Sequence, residues 1–220
     1  MALAVVKCGG AAIAREPFRL DRWVHRDEQA VVVHGAGPRI SAALAAAGIE
    51  SEFAGGRRIT TAEALPIVRE AMRRENADLC AAIGSRAVPL LGDELGLEAE
   101  PVPELGLVGL PVPTAPPRLL RLLAAGSVPV IAPLAKGPLN VNADDAAAAL
   151  AVALDADRLV FVSDVDGVLV DGSVAVEVDS DSLAANAAQL SGGIVPKLQA
   201  ALSAARSGVD VRIGRTRVTC

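Results

Sequence analysis

"AVVVHGAGPRISAALAAA", residues 30–47, opens on a continuous β-branched run, turns at Gly35 and Gly37, and goes on with Ile40, Leu44 and Ala47 at helical spacing. An unbroken apolar run is the pattern of a strand covered on both faces, as in a parallel sheet. Pro38, just inside the helical pattern, suits the first turn of a helix, where its missing N–H is not needed. The segment therefore reads as strand, glycine turn, helix. Similar runs recur at residues 3–7 (LAVVK), 127–133 (SVPVIAP), 157–164 (DRLVFVSD) and 209–214 (VDVRIG). Helical spacing recurs at Leu65, Val68 and Met72, and at Leu198, Ala201, Leu202 and Ala205. Alternation of this kind predicts an α/β fold, a mostly parallel sheet with helices on its faces. The Pro- and Gly-rich residues 103–117 read as a connection between two halves, and no internal repeat is evident.

Composition narrows the function. With 220 residues and 52% hydrophobic content the chain can bury a sizeable core, and with 2% aromatics that core must be Ala, Val, Leu and Ile. A net charge of −5 and a pI near 5.1 argue against nucleic acid as a partner, although a local basic cluster can still meet a small anion. Cys8, Cys80 and Cys220 lie far apart and form neither a disulfide framework nor a zinc spacing; no bound metal is expected from protein ligands. No apolar run is long enough to cross a bilayer and the N-terminus lacks a secretory pattern, so a cytoplasmic protein without a membrane partner is expected.

Ligands of open α/β sheets bind beyond the carboxyl ends of the strands. There the sequence places KCGG (residues 7–10), HGAGP (34–38) and SDVDGV (163–168). Glycines after a strand let backbone N–H groups approach a phosphate, but HGAGP alone is equally a structural turn, and neither a P-loop nor a Rossmann signature is present. Lys7 ends an apolar strand, where its charge either meets an anion or escapes along the strand end to water. Lys197, in LSGGIVPKLQAAL (190–202), poses the same pair of alternatives. The segment LNVNADDAAAALA (139–151) sets Asn140, Asn142, Asp144 and Asp145 against the start of an apolar helix; a cap requires one such residue, and here there are four. Phosphoryl transfer would use these parts together, since its transition state spreads negative charge that lysines and backbone amides can hold.

In their order and spacing, VVKCGG, VVVHGAGPRIS, FAGGRRIT, VPVIAPL, LNVNADDAAAALA, FVSDVDGVL and SGGIVPKLQAAL resemble the amino acid kinase superfamily, within it the acetylglutamate kinases. The resemblance implies a three-layer αβα sandwich as a single kinase domain, with residues 1–125 holding the amino acid and 126–220 holding ATP with Mg2+ carried mainly by the nucleotide phosphates. It implies that Lys7 and Lys197 stabilise the phosphoryl group in flight and that Asp144 holds both lysines. Gly9, Gly10, Ala36 and Gly37 would offer backbone N–H groups, and Arg58, Asn140 and Asn142 would grip the substrate. Ser163, Asp164, Val165, Asp166, Gly167, Val168 and Leu169, joined by Gln189, Leu190 and Ser191, would line the nucleotide site. The implied reaction is phosphorylation of the γ-carboxylate of N-acetyl-L-glutamate in arginine biosynthesis. Asp145 is expected as a first-turn acid and Arg57 as a solvent-facing control beside Arg58.

Departures from the family pattern are visible. Ala36 stands where the family usually has glycine, placing a methyl beside the expected substrate site. Residues 87–107 are shortened and the longer C-terminal tail common in the family is missing, which bears on nucleotide affinity and stability; an N-terminal helical extension is missing too, which leads to the expectation of a homodimer without arginine feedback, joined through the helix around residues 61–74. A rival within the fold is a kinase of a carrier-protein-linked aminoadipate or glutamate, with a rim drawn from Arg15, Arg19, Arg22, Arg57, Arg58, Arg73 and Arg74. A remote rival, suggested by DVDGV, is a haloacid-dehalogenase-type phosphatase with Asp164 as nucleophile and Asp166 as acid/base, although that motif sits far from the N-terminus here. A non-catalytic binding protein on the same fold is a third.

Overall fold

The computed structural model describes residues 1–15, 19–25, 27–162, 166–170, 172–181 and 194–220. Its backbone is an eight-stranded sheet in the order β14-β16-β15-β11-β1-β2-β8-β5. The strands are β1 (Leu3–Cys8), β2 (Gln29–His34), β5 (Ala87–Leu91), β8 (Val128–Ala132), β11 (Arg158–Val162), β14 (Glu177–Val178), β15 (Asp210–Ile213) and β16 (Thr216–Val218). All neighbours run parallel except β15 and β16. The five apolar runs identified in the sequence are β1, β2, β8, β11 and β15, five of the six strands with a neighbour on each side. The sheet is continuous across the division at residue 125, with β8 lying between β2 and β5 from the earlier part of the chain.

Side-chain alternation sorts the core into two layers. Val5, Val31, Val33, Leu159, Phe161 and Val211 pack with α5 (Pro117–Ala124), α6 (Ala143–Ala153) and α7 (Ile194–Arg206). Val6, Val32, Val130 and Val160 face the other way, where α1 (Gly10–Arg15), α2 (Gly37–Ala46) and α3 (Ala64–Ile83) lie. The small side chains of α6, with Ala146, Ala147 and Ala151 buried, allow this helix to sit closely over β1, β2 and β11. The expected sandwich of helices on both faces is observed.

Three smaller units complete the described chain. β6 (Ala99–Pro101), β7 (Val108–Pro111), β10 (Leu139–Val141) and β9 (Leu134–Ala135) form a second sheet beside the short α4 (Gly92–Leu95). Residues 103–117 are thus more than a connection, since β7 lies inside this sheet; at Gly109 a side chain would meet Ala99 at 2.7 Å, so the glycine marks close packing instead of a loop. β3 (Phe53–Ala54) and β4 (Arg57–Arg58) form a hairpin whose two-residue turn, Gly55 and Gly56, has φ of +55 and +75°, a conformation that suits glycine. β12 (Leu169–Val170) and β13 (Ser173–Val174) form another hairpin. No helix among the described residues is long and apolar enough to span a membrane.

His34 ends β2 on the Val32 face, fully buried, and neither ring nitrogen has a hydrogen-bond partner among the described residues. Burial lowers its pKa from 6.5 to about 4. The unfolded chain takes up this proton near 6.5 and the folded chain only near 4. The contribution of neutral His34 is therefore complete above about pH 6.5 and lost as pH falls toward 4, roughly 3 kcal/mol over that window. Urea unfolding of wild type and His34→Leu between pH 7.5 and 4.5 should show a steeper acid-side loss in wild type than in the variant; equal slopes would contradict it.

Candidate active site

Lys7 continues the alternation of Leu3 and Val5, so its side chain leaves the end of β1 on the face covered by α6 and α7. There both helices begin. Asp144 lies in the first turn of α6 and Lys197 in the first turn of α7. One carboxylate oxygen, Oδ1 of Asp144, accepts from Lys7 Nζ at 2.7 Å and from Lys197 Nζ at 3.0 Å, and all three side chains are buried. Burial alone would raise the pKa of Asp144, but the charges of Lys7 and Lys197 outweigh it and hold the carboxyl below the usual range. Burial, reinforced by the charge of Lys7, lowers the pKa of Lys197 against the pull of Asp144. The Lys197 ammonium also lies 5.4 Å from the Phe161 ring centroid. Two cations share one anion, which leaves a local positive charge in a chain that is acidic as a whole.

The backbone adds to it. Gly10, Gly37, Ala143 and Ile194, the first residues of α1, α2, α6 and α7, all line one cavity of about 500 Å³ together with Lys7, Asp144 and Lys197. Helix starts carry N–H groups without intrahelical acceptors and the positive end of the helix dipole. Gly10 and Gly37 sit back to back: a Cβ on Gly10 would meet Gly37 N and Pro38 Cδ, each at 3.0 Å, so the two glycine turns can abut only without a side chain there. Gly9 behaves differently from the expectation, because its N–H is already given to the Val162 carbonyl at 3.0 Å, tying the turn to β11. Ala36 lines this cavity, as expected, and is also tied into the core. It is 2% exposed and belongs to the apolar cluster of Ile40, Leu44 and Val68.

At the other side of the cavity, Arg58 on β4 is 7% exposed. Its guanidinium donates to Ser51 Oγ, to Ser41 Oγ at 3.0 Å and to the Gly37 carbonyl at 3.4 Å, and it lies 4.6 Å from the Phe53 ring centroid. With five N–H donors and its plane fixed by packing, it keeps donors for an anion. Asn140 on β10 donates to Thr60 Oγ1 at 3.0 Å, and that hydroxyl donates in turn to the Arg58 carbonyl at 3.0 Å. Asn142 answers the question posed by the polar cluster. Its Oδ1 accepts from the N–H of Asp144 at 2.8 Å and of Asp145 at 3.3 Å, so it is the cap of α6 as well as a residue of the cavity wall.

The model of the amino acid kinase family matches residues 2–215. The chain belongs to the amino acid kinase family. It is 41% identical to acetylglutamate kinase of Kineococcus radiotolerans over 94% of this chain and 81% of that one. It is 39% identical to acetylglutamate kinase of Rubrobacter xylanophilus over 97% and 88% of the two chains. The crystal structure of smu.665 from Streptococcus mutans superposes with a TM-score of 0.86, at 26% identity, over 99% of this chain and 98% of that one. The amino acid kinase is accordingly a phosphotransferase.

One expectation for this kinase is corrected by its geometry. Arg57 does not face solvent: its Nη2 and Nε donate to Asp145 Oδ2 at 2.7 and 3.1 Å, with side chains 22% and 13% exposed. Asp145 is thus an ion-pair partner as well as a first-turn acid, and burial raises its pKa despite Arg57. Contact across 88 positions of sequence has no local signature. Of the expected nucleotide segment, Ser163, Asp164, Val165, Gln189, Leu190 and Ser191 lie outside the described residues. Of its described part, Asp166 and Val168 hold the segment against the β15–β16 turn, through Arg215 N to Asp166 O at 2.7 Å and Val168 N to Thr216 Oγ1 at 2.9 Å. Sequence reading assigned no role to Ser41, Ser51, Phe53 and Thr60, which fix Arg58 and Asn140, although Ser41, Phe53 and Thr60 lie within the quoted motifs.

Proposed function

We propose that this chain transfers the γ-phosphoryl group of ATP to the γ-carboxylate of N-acetyl-L-glutamate, releasing ADP and an acyl phosphate. The observation that carries the reading is the Lys7–Asp144–Lys197 cluster in the same cavity as Arg58, among helix N-termini; the similarity to acetylglutamate kinases over nearly the whole chain supports the substrate. In the step, a carboxylate oxygen attacks the γ-phosphorus in line as the bond from that phosphorus to the β–γ bridging oxygen breaks. No proton need move, because a carboxylate is already a nucleophile at neutral pH.

Lys7 and Lys197 would donate to the phosphoryl oxygens as charge spreads over them, and Asp144 would hold both ammonium groups in position. The N–H groups of Gly10 and Gly37 would meet phosphate and carboxylate oxygens. Arg58 would bind the α-carboxylate, with Asn140 and Asn142 beside it. Magnesium would arrive on the nucleotide and neutralise charge on its phosphates. The experiment is ATP-dependent acyl-phosphate formation from N-acetylglutamate with magnesium, trapped as hydroxamate. Product is expected with this free substrate. Absence of product from a protein that binds ATP would overturn the substrate assignment, and absence of ATP binding would overturn the kinase reading.

A further inference from the structure

The β3–β4 hairpin reaches across the cavity and touches both helices that carry the reacting cluster. Gly56, at φ +75°, lies so close to Pro196 that a side chain there would overlap the proline ring. Pro196 immediately precedes Lys197. Arg57, the next residue of the hairpin, pairs with Asp145, which immediately follows Asp144. Arg58, the next again, is the cavity's buried guanidinium. Three successive residues therefore join, in turn, the start of α7, the start of α6 and the binding cavity.

Building on the proposed reaction, we infer that Arg57 and Asp145 are a positioning pair: their contact fixes the hairpin on α6 so that Arg58 faces the substrate carboxylate at a set distance from Lys7, Asp144 and Lys197. The geometry favours this over an incidental ion pair. Arg57 gives two donors to a single carboxylate oxygen, both side chains are largely covered, and Arg57 is itself part of the cavity wall. The hairpin has only two residues in each strand and a single pairing partner, so its own ladder is too short to hold it against the helices. The pair does not touch the reacting atoms in this scheme; it acts through Arg58.

The test is kinetic, with a second readout that needs no turnover. Arg57→Ala should raise KM for N-acetylglutamate roughly tenfold while KM for ATP stays within twofold. Asp145→Asn should act in the same direction, and Arg57→Lys should recover part of the loss. The double variant Arg57→Ala, Asp145→Ala should be no worse than Arg57→Ala alone, since the two residues act as one contact. In parallel, limited trypsin cleavage after Arg57 and Arg58, mapped by mass spectrometry, should quicken about tenfold in Asp145→Asn. A fall in thermal midpoint with unchanged KM and unchanged hairpin cleavage would make the pair merely structural and overturn the inference, as would single effects that multiply in the double variant. If Arg57→Ala does not fold, Arg57→Lys and Asp145→Asn decide by the same measurements. Lack of hydroxamate from the wild type would count against the proposed reaction, whereas wild-type turnover with unaltered variants would count against the positioning pair.

Discussion

Asp144→Asn is expected to lower kcat by about a thousandfold while changing KM for ATP far less. The side chain keeps its shape, so the loss measures charge and orientation. In the structure a single carboxylate oxygen holds Lys7 and Lys197 at 2.7 and 3.0 Å. Without its charge, two ammonium groups and the positive ends of nearby helices face each other in a buried space, and the lysines are driven apart or shed a proton. Removal of one preorganised donor from a transition-state site typically lowers kcat by about a hundred- to thousandfold. Asp144→Asn disturbs two donors at once, hence the upper end of that range. The effect should fall on kcat because phosphoryl charge is held most strongly in the transition state. Single-turnover hydroxamate trapping would separate this from slow product release; a kcat within tenfold of wild type would show that Asp144 does not organise the lysines. The pH profile has a direction too. Asp144 stays ionised below the ordinary carboxylate range, whereas Lys197, lowered by burial and by Lys7, loses its proton earlier than an ordinary lysine as pH rises. The alkaline limb of kcat should therefore begin below the range of a free lysine.

Arg58→Ala is expected to raise KM for N-acetylglutamate by roughly 10- to 100-fold with kcat nearly unchanged. Hydrogen bonds to a charged group contribute about 1.5–3 kcal/mol, and each 1.4 kcal/mol is a factor of ten. Arg58 comes prepared for this role: Ser41, Ser51 and the Gly37 carbonyl hold its fork, and Phe53 supports its face. Lysine at this position should rescue poorly, because a single ammonium cannot reproduce the planar fork. Steady-state kinetics varying each substrate in turn gives the answer, and an unchanged KM for N-acetylglutamate would remove Arg58 from the binding site.

Five of the six inner strands were legible because burial on both faces imposes unbroken apolar runs. β5, β14 and β16 were not read as strands for the complementary reason. β5 and β14 are edges with one neighbour each and β5 contains Pro89, which an edge tolerates, while β16 alternates Thr216 and Val218 inward with Arg217 outward. In the site, Lys7 and Lys197 stood out as charges costly to bury without an anion, whereas the roles of Asp144, Arg58 and Asn140 came from the family resemblance, and the structure buries all five around one cavity. Asn142 is a cap after all, since that reading depended on which of four polar side chains faced the helix start. The Arg57–Asp145 pair could not be read at all, because it exists only once the hairpin folds onto α6.

The central place of β1 also bears on how the chain is made. Its first strand pairs on one side with β2, close behind it in sequence, but on the other with β11, where Ala4 lies opposite Arg158. During synthesis one edge of β1 can be covered early. The other must wait until most of the chain has left the ribosome, and a flat apolar strand with open backbone groups is a template for wrong pairing in the meantime. Such distant contacts also slow folding itself, because the loop between them must close before the pairing is rewarded. The strand that delivers Lys7 to the reaction is thus made long before its β11 partner, and the nascent chain is most exposed to aggregation in the interval between.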